Sequence, residues 1–213
     1  PLEVESSLLS NTVGESKYPL AIIGSTDINS TQSIGTIIKR IPGISNSDYG
    51  AAVGQPVIRG LGGNRVKVLS DNDNVNDLSH ISADHPNMAN TSNASQIEVI
   101  KGPASIFNYG GTTGGIVNVI MGSITDQPYS NQIIRFGRTY DTASEGYSNN
   151  ILMKKNIGSL SLYFSHDKRD HSNYDLSSGS LYEDGAEKHT LANSDFDNLL
   201  ILLYAPLILN ENT

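Results

Sequence analysis

Three side chains within six residues carry the clearest potential for chemistry: His80, Asp84 and His85. They lie in a polar segment, Asp71 to Asn93, that also holds Asp71, Asp73 and Asp77. Imidazole nitrogens with a carboxylate are a donor set that suits zinc. Three protein donors leave a fourth tetrahedral position for water or a further His. Imidazole ligates only when neutral, so affinity should fall as pH drops through about 6.5. The plainer alternative is a solvated loop in which His and Asp collect without function. Other chemistry is excluded more firmly. The chain has no Cys and no Ser in a G-x-S-x-G elbow. No two His residues stand at i, i+4 on a helix, as a zinc protease needs; His166 and His171 are five apart. The glycines Gly110, Gly111, Gly114 and Gly115 are followed by Ile116-Val117, not by the Lys-Ser/Thr of a phosphate loop. The β-branched run Ile116 to Ile120 is a strand, not the helix that a dinucleotide turn opens. No enzymatic activity and no resident cofactor are expected.

Composition narrows the class. Among 213 residues there are 14 Lys+Arg against 22 Asp+Glu, a net charge of -8, so no nucleic-acid partner is expected. No run of about 18 apolar residues offers a transmembrane helix, so a membrane role would rest on strands. No signal peptide is visible, and the start at Pro1 fits a processed N-terminus or a cut fragment equally.

The elements that must position these residues are short. Leu20 to Ile23 is a strand. Ser30 or Thr31 caps a helix whose Ile34, Ile37, Ile38 and Ile41 form one face, ended by Pro42-Gly43. Asn46 to Gln55 is a polar loop, and Pro56 to Leu61 and Arg65 to Leu69 are strands joined by Gly60, Gly62 and Gly63. Ile97 to Ile100 alternates as a half-buried strand, punctuated by Gly102-Pro103, and Ile116 to Ile120 is its companion. Gly122 to Asn131, with Pro128, is a linker. Beyond it Gln132 to Arg138, Tyr147 to Lys154, Ser159 to Asp167 and Phe196 to Tyr204 have strand length. In the third, Leu160, Leu162 and Phe164 alternate with Ser161, Tyr163 and Ser165. A water-lined membrane barrel needs an outward apolar row and an inward polar one, although a soluble sheet alternates too. The tight turn at Asn156-Ile157-Gly158 against the long excursion Arg169 to Asp195 matches the short-turn, long-loop pattern of outer-membrane barrels.

Three blocks in order carry a family resemblance: Ile41-Pro42-Gly43-Ile44, then Pro56 to Val66 (PVIRGLGGNRV), then Ile97 to Ile120 with its IEVIKGPAS opening, Tyr109-Gly110 and Gly114-Gly115-Ile116-Val117-Asn118-Val119-Ile120. They resemble the plug domain of TonB-dependent outer-membrane receptors. The chain departs from the family at Asn108, inserted before Tyr109, and at Asp71 to Val75, where a short Asp-Gly turn is usual. The resemblance implies an α+β fold: a plug over residues 1–125, with a small mixed sheet and short helices, then antiparallel strands of an incomplete transmembrane β-barrel over 131–213. It implies the outer membrane of a Gram-negative bacterium, the energy-transducing protein TonB as partner, and active uptake of a scarce nutrient. The energy-coupling segment lies near Leu2-Glu3-Val4-Glu5, and Arg59 is expected to pair with the inner barrel wall. Ile81 to Pro86 resembles the plug loop of zinc-type receptors, so a metal ion or metal chelate, zinc first, is the expected cargo, with His80, Asp84 and His85 as its site. Such barrels close with about 22 strands, so four strands read as a fragment or truncated product too short to transport alone. Two alternatives stand beside this: a soluble plug-like interaction module, and a non-functional truncated gene remnant.

Overall fold

The computed structural model describes residues 20–28, 33–48, 53–75, 85, 89–103, 112–122, 127–181 and 188–208. The chain divides into two compact units, Pro1–Gly122 and Ser123–Thr213.

The first unit is built on β1 (Leu20–Gly24), α1 (Ile34–Ile38), β2 (Ile44–Asp48), β3 (Gly54–Ile58), β4 (Val66–Ser70), β5 (Asp73–Asn74), β6 (Gln96–Lys101) and β7 (Gly115–Ile120). Its main sheet is mixed, in the order β1-β6-β7-β4-β5. β6 and β7 pair antiparallel from Gln96↔Ile120 to Lys101↔Gly115, and β4 runs parallel to β7. Ile97, Val99, Ile100, Ile116, Val117 and Val119 are all fully buried. β6 is therefore covered on both faces, and the half-buried strand expected there is corrected: Ile100 and Glu98 are as buried as Ile97 and Val99.

The helix forms where the Ile stripe places it, but it is shorter and starts later. Ser33 is its N-cap and accepts a hydrogen bond from the Thr36 amide at 3.3 Å. Ser30 and Thr31 lie outside the described residues. Ile41 is buried in the turn after the helix, not on it. The expected polar loop from Asn46 is in part a strand, since Ile44–Asp48 pairs antiparallel with Gly54–Ile58. Its polar side chains find partners across the unit: Asn46 Nδ2 donates to Thr36 Oγ1 at 2.9 Å. The Asn46 carboxamide fills the space where Gly35 has no side chain, 2.0 Å from where a Cβ would stand. β3 and β4 do not pair as neighbours. β3 joins β2, and the chain turns away through Arg59 and Gly60, both at positive φ.

The departure at Asp71 also has a physical account. Asp71 and Asn72, at φ +47° and +70°, form a two-residue hairpin loop between the pair Ser70↔Asp73. Hairpins of this length need positive φ at both central residues, and Asp and Asn tolerate it. The turn is held by Met121 N donating to Asp71 Oδ1 at 2.8 Å and by a reciprocal bond pair between Asn72 and Asn118.

The second unit is a four-stranded antiparallel sheet of β8 (Ile133–Asp141), β9 (Gly146–Ile157), β10 (Leu160–His171) and β13 (Phe196–Tyr204), in the order β13-β10-β9-β8. A short ladder of β11 (Tyr174–Asp175) with β12 (Thr190–Leu191) lies between β10 and β13 in sequence. Gly158 and Ser159 make the tight turn, with Gly158 at φ +60° and Ile157 opposite Leu160. β10 continues to His171, so the excursion starts at Ser172 rather than Arg169. Before β8, Tyr129 is clipped to β9: its amide donates to Asn156 Oδ1 at 3.1 Å and its carbonyl accepts from Asn156 Nδ2 at 2.9 Å. A side-chain amide here does the work of one more ladder pair. Tyr129 packs with Leu152 and Tyr163 in a small core.

Candidate functional site

The two faces of the second sheet separate by chemistry. On β10 the row Ser161, Tyr163, Ser165 and Asp167 is buried, whereas Leu160, Leu162 and Phe164 are partly exposed. On β9 Ser148, Asn150, Leu152 and Lys154 are buried. The other face continues outward through Ile134 (81% exposed), Phe136 (70%), Leu199, Ile201 and Leu203 (65%). Register aligns these into rows: Phe136 with Ile151, His166 and Ile201, and Ile134 with Met153, Phe164 and Leu203. A sheet in water buries its apolar row and solvates the polar one, because each Å² of apolar surface removed from water is worth about 25 cal/mol. Here that order is reversed. Among the described residues no helix is long and apolar enough to cross a membrane.

The buried face carries paired charges. Arg169 Nε lies 3.1 Å from Asp167 Oδ1 in an ion pair, and Asp167 Oδ2 has no hydrogen-bond partner among the described residues. Lys154 Nζ stands 5.5 Å from the Tyr129 ring centre and 5.7 Å from that of Tyr163, which stabilises a cation away from bulk water. At the β10 end, His171 is consumed structurally. Its Nδ1 is 2.7 Å from Ser144 Oγ, its Nε2 is 3.2 Å from Ser148 Oγ, and the ring stacks on Phe196 at 4.7 Å. Gly146 is required below it, since a Cβ there would stand 2.3 Å from Nδ1.

Of the residues expected to hold metal, only His85 lies among those described. It is half-buried, and its carbonyl accepts from Gln55 Nε2 at 3.2 Å, tying it to β3. His80 and Asp84 lie outside the described residues. Among the described residues no three His, Cys, Asp or Glu side chains gather as a metal site. The three other His residues, all within Ser165 to Asp195, have different surroundings. His166 is a strand residue in the exposed apolar row and His171 is bound to two serines, which leaves His189 in the excursion itself.

The sequence reading missed a buried polar network in the first unit. Glu98 is 1% exposed. Gln96 Nε2 donates to its Oε1 at 2.9 Å and Asn118 Nδ2 to its Oε2 at 3.2 Å. The available signal was that Glu98 and Asn118 are each an isolated polar residue in an apolar strand, and they are direct register partners. Removing one partner of a buried hydrogen bond costs about 1–3 kcal/mol, because the other is left unsatisfied. Glu98→Ala should therefore lower unfolding stability by at least that amount, while Glu98→Gln, which keeps an acceptor, should cost less; urea midpoints of the two variants check the order.

Arg59 is held at φ +51°, with its amide donating to the Gly43 carbonyl at 2.8 Å. Its Nη1 lies 3.2 Å from where a Cβ of Gly102 would stand, so Gly102 makes room for the guanidinium.

Comparison with known proteins places this geometry. Residues 12–116 match the TonB-dependent receptor plug domain. Over its length the chain is similar to the solved structure of the FrpB iron transporter from Neisseria meningitidis, at 17% identity and TM-score 0.68, covering 90% of this chain and 30% of that one. It is similar to the ferric enterobactin receptor PfeA from Pseudomonas aeruginosa, at 20% identity and TM-score 0.57, covering 75% and 25%. It is also similar to the siderophore receptor PirA from Pseudomonas aeruginosa, at 22% identity and TM-score 0.51, covering 72% and 28%. The chain thus spans 30% or less of the length of these structures. TonB-dependent receptors are outer-membrane proteins of Gram-negative bacteria, and the matched proteins are transporters and receptors, not enzymes.

Proposed function

We propose, from the premise that residues 12–116 match the TonB-dependent receptor plug domain, that the chain is the plug and first barrel strands of an outer-membrane receptor for active uptake of a scarce metal or its chelate. The observation that carries this is the reversed sheet that follows the plug in sequence: apolar side chains on the open face, hydroxyls, amides and charges on the buried one. Lipid is the solvent in which that arrangement is favourable. β8 leads away from the plug in sequence, so alternate strand ends face the cell exterior and the excursion after β10 is extracellular. TonB is the partner that supplies energy, through a segment near Leu2 to Glu5. The chain has no Cys, so single cysteines carrying an environment-sensitive dye test the reading directly. In phosphatidylcholine vesicles, dye at Phe136→Cys and Ile201→Cys should shift to the blue, and dye at Asn150→Cys and Ser165→Cys should not. A soluble module gives no shift at any of the four, and that result overturns the proposal.

For the cargo, the names of the similar structures point to iron and its chelates, and the ligand set of His80, Asp84 and His85 points to zinc. We place zinc, or another divalent cation, on that loop, with water as a candidate fourth donor. Ordering a polar loop opposes binding, so the expected affinity is micromolar or weaker, about 8 kcal/mol at the 1 μM mark. Calorimetric titration with zinc should show heat that is lost in His85→Ala and Asp84→Ala. Undiminished binding by the double variant removes the loop from the uptake path.

A further inference from the structure

The open face of the second sheet changes character at the end nearest the β8–β9 turn. Above the row Phe136–Ile151–His166–Ile201 comes a row of Arg138, Asn149, Lys168 and Leu199, aligned by register across all four strands. We infer that Arg138, Asn149 and Lys168 form a contact for the phosphate headgroup of an outer-leaflet lipid. The inference rests on the membrane reading above and goes beyond it by naming a ligand class and its residues.

Arg138 and Lys168 are exposed and two strands apart, about 10 Å between backbones at the usual strand spacing. Side chains of their length can reach one group across that gap, and Asn149 is the register partner of both. Neither cation makes an ion pair among the described residues. Arg138 is held against the sheet instead, its guanidinium carbon 4.7 Å over the Tyr147 ring, which itself packs on Tyr140 at 4.7 Å between centres. This leaves the fork free to accept a bidentate oxyanion. The carboxylates of the next row out, Asp170 and Asp197, are opposite one another and do not pair with Lys168. Two cations without counter-charge at the margin of an apolar band call for an anion at that depth. A free anion would satisfy the charges alone. A phosphorylated lipid also covers the apolar rows directly beneath with its acyl chains, so the face fits lipid better.

The test uses the whole chain with phosphatidylcholine vesicles and with vesicles in which part of that lipid is replaced by phosphatidic acid. The net charge of -8 makes the chain as a whole disfavour an anionic surface, so general electrostatics predicts weaker binding to the second kind. The row predicts about thirtyfold tighter binding for its two basic side chains. Arg138→Gln with Lys168→Gln should abolish that gain while binding to phosphatidylcholine persists. Arg135→Gln with Lys39→Gln, the same loss of charge elsewhere, should keep it. Equal binding to both vesicles by the parent chain, or loss of the gain in the Arg135 and Lys39 control, overturns the lipid contact alone. Displacement of the gain by excess inorganic phosphate overturns the commitment to lipid. Failure to bind phosphatidylcholine overturns the membrane reading, and the contact with it.

Discussion

Gly115→Ala should unfold the first unit's sheet or bring it close to unfolding. Gly115 opens β7 at φ +148°, a conformation that side chains rarely adopt. A Cβ there would stand 2.3 Å from the Ile100 carbonyl oxygen and 2.8 Å from Ile58 Cδ1. The carbonyl cannot step aside, because Gly115 is register partner to Lys101 on one side and Val66 on the other. Backbone strain of this kind costs about 1–3 kcal/mol, and overpacking a fully built core adds about 1–3 more. The sum is a large part of the roughly 5–15 kcal/mol by which a domain is stable. Gly60→Ala is the comparison. It also sits at positive φ, +78°, but nothing lies within 4 Å of its Cβ position, so only the strain remains, about 1 kcal/mol. Urea unfolding followed by circular dichroism should show a midpoint far lower for Gly115→Ala than for Gly60→Ala. Equal midpoints would mean that the β6–β7 contact is looser than its geometry.

Phe136→Arg and Ile201→Arg should each weaken membrane partition by about 2–4 kcal/mol, the cost of a cation near the middle of a lipid-facing barrel surface. The same changes should raise solubility in water, where both side chains now leave apolar surface uncovered. Opposite signs in the two solvents are the point of the test. A soluble sheet has no membrane term to lose, and its solubility alone would move. Thr139→Arg, on the other face of β8, should leave partition nearly unchanged. Vesicle flotation and the soluble fraction after centrifugation measure both quantities.

Much of the architecture is legible in residue order because it is written in local pattern. The Ile stripe at 34, 37 and 38 makes α1, since those positions share one helical face. The β-branched runs Ile97 to Ile100 and Ile116 to Ile120 become paired central strands. The alternation in Leu160 to Ser165 correctly marks a two-faced strand. The three ordered blocks fall within, or overlap, residues 12–116, which match the TonB-dependent receptor plug domain.

What the local pattern leaves open, long-range packing decides. A period of two is the same whichever row is buried, and only the neighbouring strands and the surroundings of each face set Ser161 and Ser165 inside and Phe136 and Ile201 outside. Asn46 reads as loop because its partner, Thr36, sits on another element. Glu98 reads as a solvent-facing residue because the donors that satisfy it arrive from Gln96 two residues away and Asn118 across the ladder. Nothing in residue order shows that Ser144 and Ser148 close on both nitrogens of His171. Residue order thus determined the helix and the apolar strands, because propensity and periodicity act over a few residues, but not the polar strand Ile44–Asp48. The tertiary structure alone decided which polar groups are consumed, which glycines are indispensable and which face of the second sheet is left open, because these depend on atoms that meet only after the chain has folded.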